Sequence, residues 1–328
     1  MKRRDLLKLT TGGLAAGIFA GLWPLSATAD NGAPASTIAT SAPLDAAAWR
    51  AARRYLKLPQ GRVAYVERGA GTAALFLHGF PLNGFQWRGA LERLSPYRRC
   101  IAPDFLGLGY TEVAEGQSVA PDAQVEMLIA LLDALDIGQV DLVANDSGGA
   151  VAQLLLVRYP QRVRTLLLTN CDAEIDCPPP ALKPVIELAR QGQFVPQWLA
   201  PWLADHVLAR SPQGLGGMTF TYPQNPSDEA IEMYLRPLVD HPDQTHAYAI
   251  GLDANVLAGV ESKLQQRNVP TRIIWGTGDT IFSPESPGYL DKTFGNSQGV
   301  RRVPDAKLFF PEEFPDLIAE EARRLWGV

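Results

Sequence analysis

The sequence predicts an α/β domain built on an open, mostly parallel sheet, with a helical cap inserted late in the chain. Three observations carry this. Short apolar runs alternate with stretches of helical spacing from Gly61 to Thr169. One such run, Asp141-Leu142-Val143-Ala144-Asn145, passes through a tight turn straight into a small-residue helix. The alternation then stops from Asp176 to Gln266, a stretch rich in proline and tryptophan, and resumes at Thr271.

The chain has 328 residues and a net charge of −5. That length suits one large α/β domain with an insertion. No basic patch speaks for nucleic acid. The chain has three cysteines and four histidines, with no CxxC and no histidine cluster. No metal site and no cofactor follow from them. Cys100 opens an apolar strand and is expected in the core. Cys171 and Cys177 are spaced so that a bridge is open to them in an oxidising compartment.

Residues 1–29 read as an export signal. Arg3-Arg4 is followed by leucines, then by a mild apolar run from Leu9 to Leu25. Ala27-Thr28-Ala29 gives a small-x-small cleavage site. The twin arginines predict the twin-arginine export machinery as a partner and a periplasmic or secreted location. An uncleaved anchor is the alternative; after cleavage no membrane span is expected. Residues 30–44 read as a flexible lead-in. The remaining expected boundaries are a first core segment at 45–175, a cap at 176–266 and a second core segment at 267–328.

In order, Gly61–Gly69 alternates like an edge strand. Ala73–Leu77 is a compact apolar run, expected as a buried strand ending at His78-Gly79-Phe80-Pro81. Gln86–Leu94 reads as a helix. Cys100–Pro103 is a further strand, followed by a glycine-rich turn at Asp104–Tyr110. Ala123–Leu135 has helical spacing. Val140–Ala144 leads into the turn, Gly148–Tyr159 is the helix behind it, and Val163–Thr169 is the next strand. Pro178-Pro179-Pro180 opens the cap. Thr271–Trp275 and Gly299–Val303 are the last strands, and Phe314–Trp326 is the closing helix.

A turn of this kind holds one side chain over the end of the sheet, where a helix N-terminus also directs its N–H groups. Small residues two before and two after the apex permit the close strand–helix crossing. Ala144 and Gly148 flank Asp146 in that way. Asn145 and Gly149 flank Ser147 less well. The apex is therefore Asp146, with Ser147 as the alternative.

Four segments in this order, His78-Gly79-Phe80-Pro81, Asp104-Phe105-Leu106-Gly107-Leu108-Gly109, Ala144-Asn145-Asp146-Ser147-Gly148 and Gly276-Thr277-Gly278-Asp279, resemble the α/β-hydrolase superfamily. The chain is most similar to its haloalkane dehalogenase and epoxide hydrolase branch. The resemblance implies an eight-stranded sheet with a helical cap and a small, fairly apolar substrate. It implies Asp146 as a nucleophile that forms an ester intermediate. It implies an oxyanion hole made by the backbone N–H groups of Phe80 and Ser147, and a structural role for His78. Asp172 and Asp279 stand at the two strand ends that supply the acid partner of a histidine.

The histidine itself is missing. The superfamily places it just after the last strand, where this chain has Val303–Glu313 and, by register, Leu308. His246 or His241 is a base relocated to the cap, or a cap-packing residue. Glu312 or Glu313 activates water, or forms the acidic start of a helix. Several carboxylates around Asp146 raise one pKa by repulsion and create a general acid. The tryptophan that follows the nucleophile in dehalogenases is also absent, since Ser147 stands there. Tyr222, Tyr234 and Tyr248 are the cap donors available for an epoxide oxygen. Three functional readings stay open: a hydrolase using Asp146, an esterase using Ser147, and a non-hydrolytic or ligand-binding member (isomerase, cyclase, lyase or pseudoenzyme) of the same fold. The sequence leaves the oligomeric state open.

Overall fold

The computed structural model describes residues 44–328. The expected signal and most of the lead-in lie outside the described residues.

The sheet is assembled from β1 (Arg54–Leu58), β2 (Gly61–Arg68), β3 (Ala73–Leu77), β4 (Arg99–Pro103), β5 (Glu112–Val113), β6 (Val140–Asp146), β7 (Val163–Cys171), β8 (Thr271–Gly276) and β9 (Ser297–Val303). Eight strands lie in the order β1-β2-β4-β3-β6-β7-β8-β9, and the short β5 pairs with β2. β2 is antiparallel to β1 and to β4. Every pairing from β4 to β9 is parallel. The mostly parallel, eight-stranded sheet expected from the sequence is therefore present, with β5 as an addition.

β3 and β6 are buried along their whole length. Parallel strands covered by helices on both faces have no solvent side, so they read as continuous apolar runs. β2 differs from its expected edge position. Four consecutive residues, Val63–Val66, are buried in it, and β1 takes the edge outside it. The exposed, charged Arg54-Tyr55-Leu56-Lys57 hides β1 in sequence, because an edge strand needs little apolar content.

The chain between β7 and β8 is helical. Its longest pieces are Lys183–Arg190, Asp228–Asp240 and Pro242–Gly251. Two glutamates tie this insertion to the core. Glu313 accepts from the backbone N–H groups of Thr221 and Tyr222 and from Asn225 Nδ2 at 2.8–2.9 Å. Glu312 accepts from Arg88 at 2.8 Å and from the Tyr234 hydroxyl at 2.5 Å. Charge-assisted bonds of this kind are about twice as strong as neutral ones. Both glutamates lie in the short helix Phe310–Glu313, not in the first turn of the closing helix Pro315–Trp326.

Among the described residues no helix is long and apolar enough to cross a membrane. Cys100 is buried, as expected. Cys171 and Cys177 are free and form no bridge. Cys171 packs behind the helix Ser147–Arg158, where Gly149 leaves room for it. The Cys177 thiol instead donates a hydrogen bond to the Asp172 carboxyl.

Candidate active site

β6 ends at Asp146, and the helix Ser147–Arg158 begins at the next residue. Asp146 has φ 54° and ψ −133°. A non-glycine residue in that region is strained by about 1–3 kcal/mol, and the surroundings must hold it there. Glycines permit the hold. A Cβ on Gly148 would meet the His78 carbonyl oxygen at 2.5 Å, and one on Gly79 would collide with the Asp146 side chain itself.

The Phe80 N–H donates to Asp146 Oδ2 at 2.6 Å, and the Ser147 N–H also donates to this carboxyl. The two backbone groups expected as the oxyanion hole thus hold the Asp146 carboxyl. Burial pushes the Asp146 pKa up to about 7, against the pull of these two N–H groups, and the charge of Asp279 adds to the rise.

A cavity of about 90 Å³ lies over this turn. Asp146, Ser147, Asp172 and Thr219 are the acidic and hydroxyl groups on its wall. The rest is almost wholly apolar, with Phe80, Phe194, Trp198, Trp202 and Phe282 as the large rings. From Phe80 through Phe194 and Trp198 to Trp202, successive rings meet in tilted contacts with centroids 5.5–5.8 Å apart. A dry aromatic wall with a few polar groups is the usual form of a small-molecule site.

Leu308 borders the same cavity and is buried. The residue that the sequence register places where a base histidine was expected thus puts an apolar side chain, with no proton to exchange, on the cavity wall.

The four histidines do not replace it. His78 is buried between the Gly79 carbonyl and the Phe105 N–H, and burial lowers its pKa to about 4. It is a neutral packing residue, as expected. His246 Nε2 accepts from the Val195 N–H at 3.1 Å, and the residue does not border the cavity. Burial lowers its pKa, against the charge of Asp243. The structure does not bring His246 to Asp146. His206 pairs with Asp228, and His241 is exposed at the end of the helix Asp228–Asp240. Glu312 and Glu313 are occupied by the contacts described above, away from the cavity wall.

The two acid positions diverge. Asp172 borders the cavity. Burial raises its pKa well above the usual carboxylate range, the charge of Asp146 raises it further, and the Cys177 thiol opposes the rise. Asp279 is set back from the cavity wall. It accepts from Asn170 Nδ2 and from the Ile281 N–H, each at 2.8 Å. Burial raises its pKa also, and these donors oppose the rise.

Tyr248 is the cap tyrosine nearest the turn. Its ring stacks on Phe80 with centroids 5.5 Å apart, and its hydroxyl shares a 3.2 Å hydrogen bond with Ser147 Oγ. Tyr234 is held by Glu312, and Tyr222 is half exposed.

An amide chain missed in the sequence supports the turn. Gln86 Nε2 donates to Asn145 Oδ1 at 2.6 Å, and Asn145 Nδ2 donates to the carbonyl oxygens of Asn170 and Leu308, both at 3.1 Å. Only the adjacency of Asn145 to the apex signalled it.

Residues 73–314 match the family model described as the alpha/beta hydrolase fold. The chain belongs to this family. It is related to the haloalkane dehalogenase and epoxide hydrolase branch. A haloalkane dehalogenase of Mesorhizobium japonicum is 43% identical over 118 residues, which are 34% of this chain and 36% of that protein. The chain thus matches about a third of the length of that relative. Haloalkane dehalogenase 2 of Mycobacterium bovis is 28% identical over 81% of this chain and 92% of its own length. The solved structure of a ligand-free epoxide hydrolase, CorEH, superposes with a TM-score of 0.69 at 20% identity, over 84% of this chain and 98% of that one. That last likeness concerns the fold.

Proposed function

We propose that the chain is a hydrolase for a small, neutral, fairly apolar molecule with an electrophilic carbon, and that Asp146 attacks that carbon to form an ester. The observation that carries this is the Asp146 carboxyl itself. It is held at the apex of a strained turn by the Phe80 N–H at 2.6 Å, on the wall of an apolar cavity. The name of the haloalkane dehalogenase relatives supports this reading, since a haloalkane carries such a carbon.

The chemistry follows from the geometry. Oδ2 accepts from the Phe80 N–H, which leaves Oδ1 as the oxygen assigned to attack. Once the ester has formed, Oδ2 is its carbonyl oxygen. Addition of water to the carbonyl carbon then places negative charge on Oδ2, against donors already aimed at it. The dry wall raises the energy of the free carboxylate and so favours its reaction.

Ser147 is the weaker nucleophile in this arrangement. Its hydroxyl is hydrogen-bonded to Tyr248, with no imidazole to take its proton. Leu308 favours a second reading, in which the site binds a ligand or performs a non-hydrolytic reaction.

The test compares Asp146→Asn with Ser147→Ala on small epoxides and alkyl halides. Asp146→Asn is expected to abolish activity, and Ser147→Ala to retain at least a tenth of it. A larger loss from Ser147→Ala favours the esterase. If neither the parent protein nor any variant turns over or forms an adduct, ligand binding remains.

The proposal extends to export through the twin-arginine pathway, on Arg3-Arg4 and Ala27-Thr28-Ala29. Changing both arginines to lysine is expected to leave the protein in the cytoplasmic fraction.

A further inference from the structure

The reaction proposed above needs a proton carrier, and the histidine position holds Leu308. A group able to carry a proton must border the cavity beside Asp146. Among the described residues, the cavity wall offers one other carboxyl, that of Asp172. Its backbone is fixed, because the Asp172 carbonyl oxygen accepts from Gln153 Nε2 at 2.8 Å, and the Ala173–Asp176 bridge closes the turn behind it. The Asp172 side chain has the Cys177 thiol as a partner. Neither contact supplies a full positive charge, so nothing there fixes the carboxyl as an anion.

We infer that Asp172 is the proton carrier of this site, first as the acid that protonates the departing oxygen of a strained cyclic ether and then as the base that activates water. This rests on Asp146 being the nucleophile. In the first step, Asp146 Oδ1 forms a bond to the ring carbon and the ring C–O bond breaks. The ring oxygen keeps the electron pair and takes the Asp172 proton. The products are a hydroxyalkyl ester on Asp146 and a carboxylate on Asp172. In the second step, Asp172 takes a proton from water while the water oxygen adds to the ester carbonyl carbon. The charge on Oδ2 is met by the Phe80 and Ser147 N–H groups. The intermediate collapses by breaking the bond from Cγ to Oδ1, and the leaving alkoxide takes the proton back from Asp172. Asp146 is left as the acid, and its proton passes to Asp172. The pair holds one proton and one negative charge before and after the cycle.

The direction of the Asp172 shift agrees with this. Burial raises its pKa well above the ordinary carboxylate range and the neighbouring Asp146 charge raises it further, both of which favour a proton on Asp172. Among the described residues, the titratable groups that couple to the pair are Cys171, Asp176, Cys177, Tyr248 and Asp279, none of them a cation.

The experiment uses Asp172→Asn in the purified full chain with two probes, a small aryl epoxide and a small alkyl bromide. The epoxide needs a proton on its leaving oxygen, whereas bromide leaves without one. With Asp172→Asn, epoxide opening is expected to fall at least 100-fold. Alkylation of Asp146 by the bromide, read by intact mass, is expected to stay within about threefold of the parent protein. The resulting ester is expected to persist at least 100-fold longer. Wild-type rates of epoxide opening and ester decay in the variant would overturn the inference. So would equal loss with both probes, which marks a purely structural residue.

A second measurement needs no variant. In the parent protein, the epoxide rate is expected to fall on both sides of an optimum, and the bromide alkylation rate on the acid side alone. An epoxide rate with no alkaline limb up to the pH of unfolding would overturn the assignment. Failure of Asp146 as nucleophile reads differently, because the parent protein then gives no adduct with the bromide at any pH.

Discussion

Asn145 Nδ2 donates to the Leu308 carbonyl oxygen at 3.1 Å, and so ties the residue before the apex to the loop that carries Leu308. The backbone frame of that loop is thus held in place from β6. The same amide also serves the Asn170 carbonyl. Asn145→Leu leaves both buried carbonyls without this donor and frees the Gln86 amide. The expected loss is about 3 kcal/mol or more, at roughly 1–3 kcal/mol for each unmet buried group. Urea unfolding measures it as a lower midpoint at unchanged slope.

Leu308→His tests whether the frame still accepts an imidazole. The new side chain enters the cavity that Asp146 borders, with Asp172 on the same wall. It is expected to speed decay of the Asp146 ester at least tenfold and to restore that decay in Asp172→Asn, because an imidazole takes the water proton. The cost is an apolar group exchanged for a polar one in a dry site, about 1–3 kcal/mol. Stopped-flow mixing followed by intact-mass readings separates ester formation from ester decay. An ester lifetime unchanged by the substitution counts against a loop geometry able to present a base.

Much of this arrangement was legible in the sequence. β3 and β6 are continuous apolar runs because both faces are buried, so they stood out. The apex was assigned from the small residues Ala144 and Gly148, and the positive φ falls on Asp146. What stayed hidden depends on distant partners. His246 reads as either a relocated base or a cap-packing residue until Val195, 51 residues earlier, donates to it. Glu312 reads as a helix-start acid until Arg88, 224 residues earlier, reaches it. Asp172 and Asp279 occupy equivalent strand ends in sequence, and the local loops decide which one borders the cavity. β1 carried no periodic signal, because an edge strand is exposed on two sides.

The Asp146 pKa of about 7 has opposite effects on activity and stability. In the proposed reaction attack needs the carboxylate, so the alkylation rate is expected to fall tenfold per pH unit below about 7 and to level off above it. For stability, the folded pKa is raised above the unfolded value. The stabilising contribution is therefore complete at pH below about 4 and is lost as pH rises through 7. Asp146→Asn removes the buried charge and keeps the shape. At pH 8 it is expected to raise the stability by up to about 4 kcal/mol, the linkage value of a shift of this size. At pH 4 the gain disappears. Thermal unfolding at the two pH values tests the sign, and a gain that is larger at pH 4 contradicts it.

Glu312 carries the last expectation because it joins three parts of the molecule. Arg88 begins the helix Arg88–Leu94, Tyr234 belongs to the inserted helix Asp228–Asp240, and Glu312 lies just before the closing helix. The glutamate is 4% exposed at its side chain, against 22% for Arg88. Arg88→Met removes the cation and leaves the carboxylate buried with Tyr234 as its remaining polar partner. Breaking one side of a buried pair costs about 3–5 kcal/mol, much of it the penalty of the stranded charge. Arg88→Met combined with Glu312→Leu removes both charges and is expected to recover most of that loss. If the charges only stabilise, the cavity keeps its shape and the double variant retains the parent KM. A KM raised tenfold in a double variant of normal stability instead assigns Glu312 to holding the inserted helix over the cavity. Unfolding curves read together with steady-state kinetics separate the two.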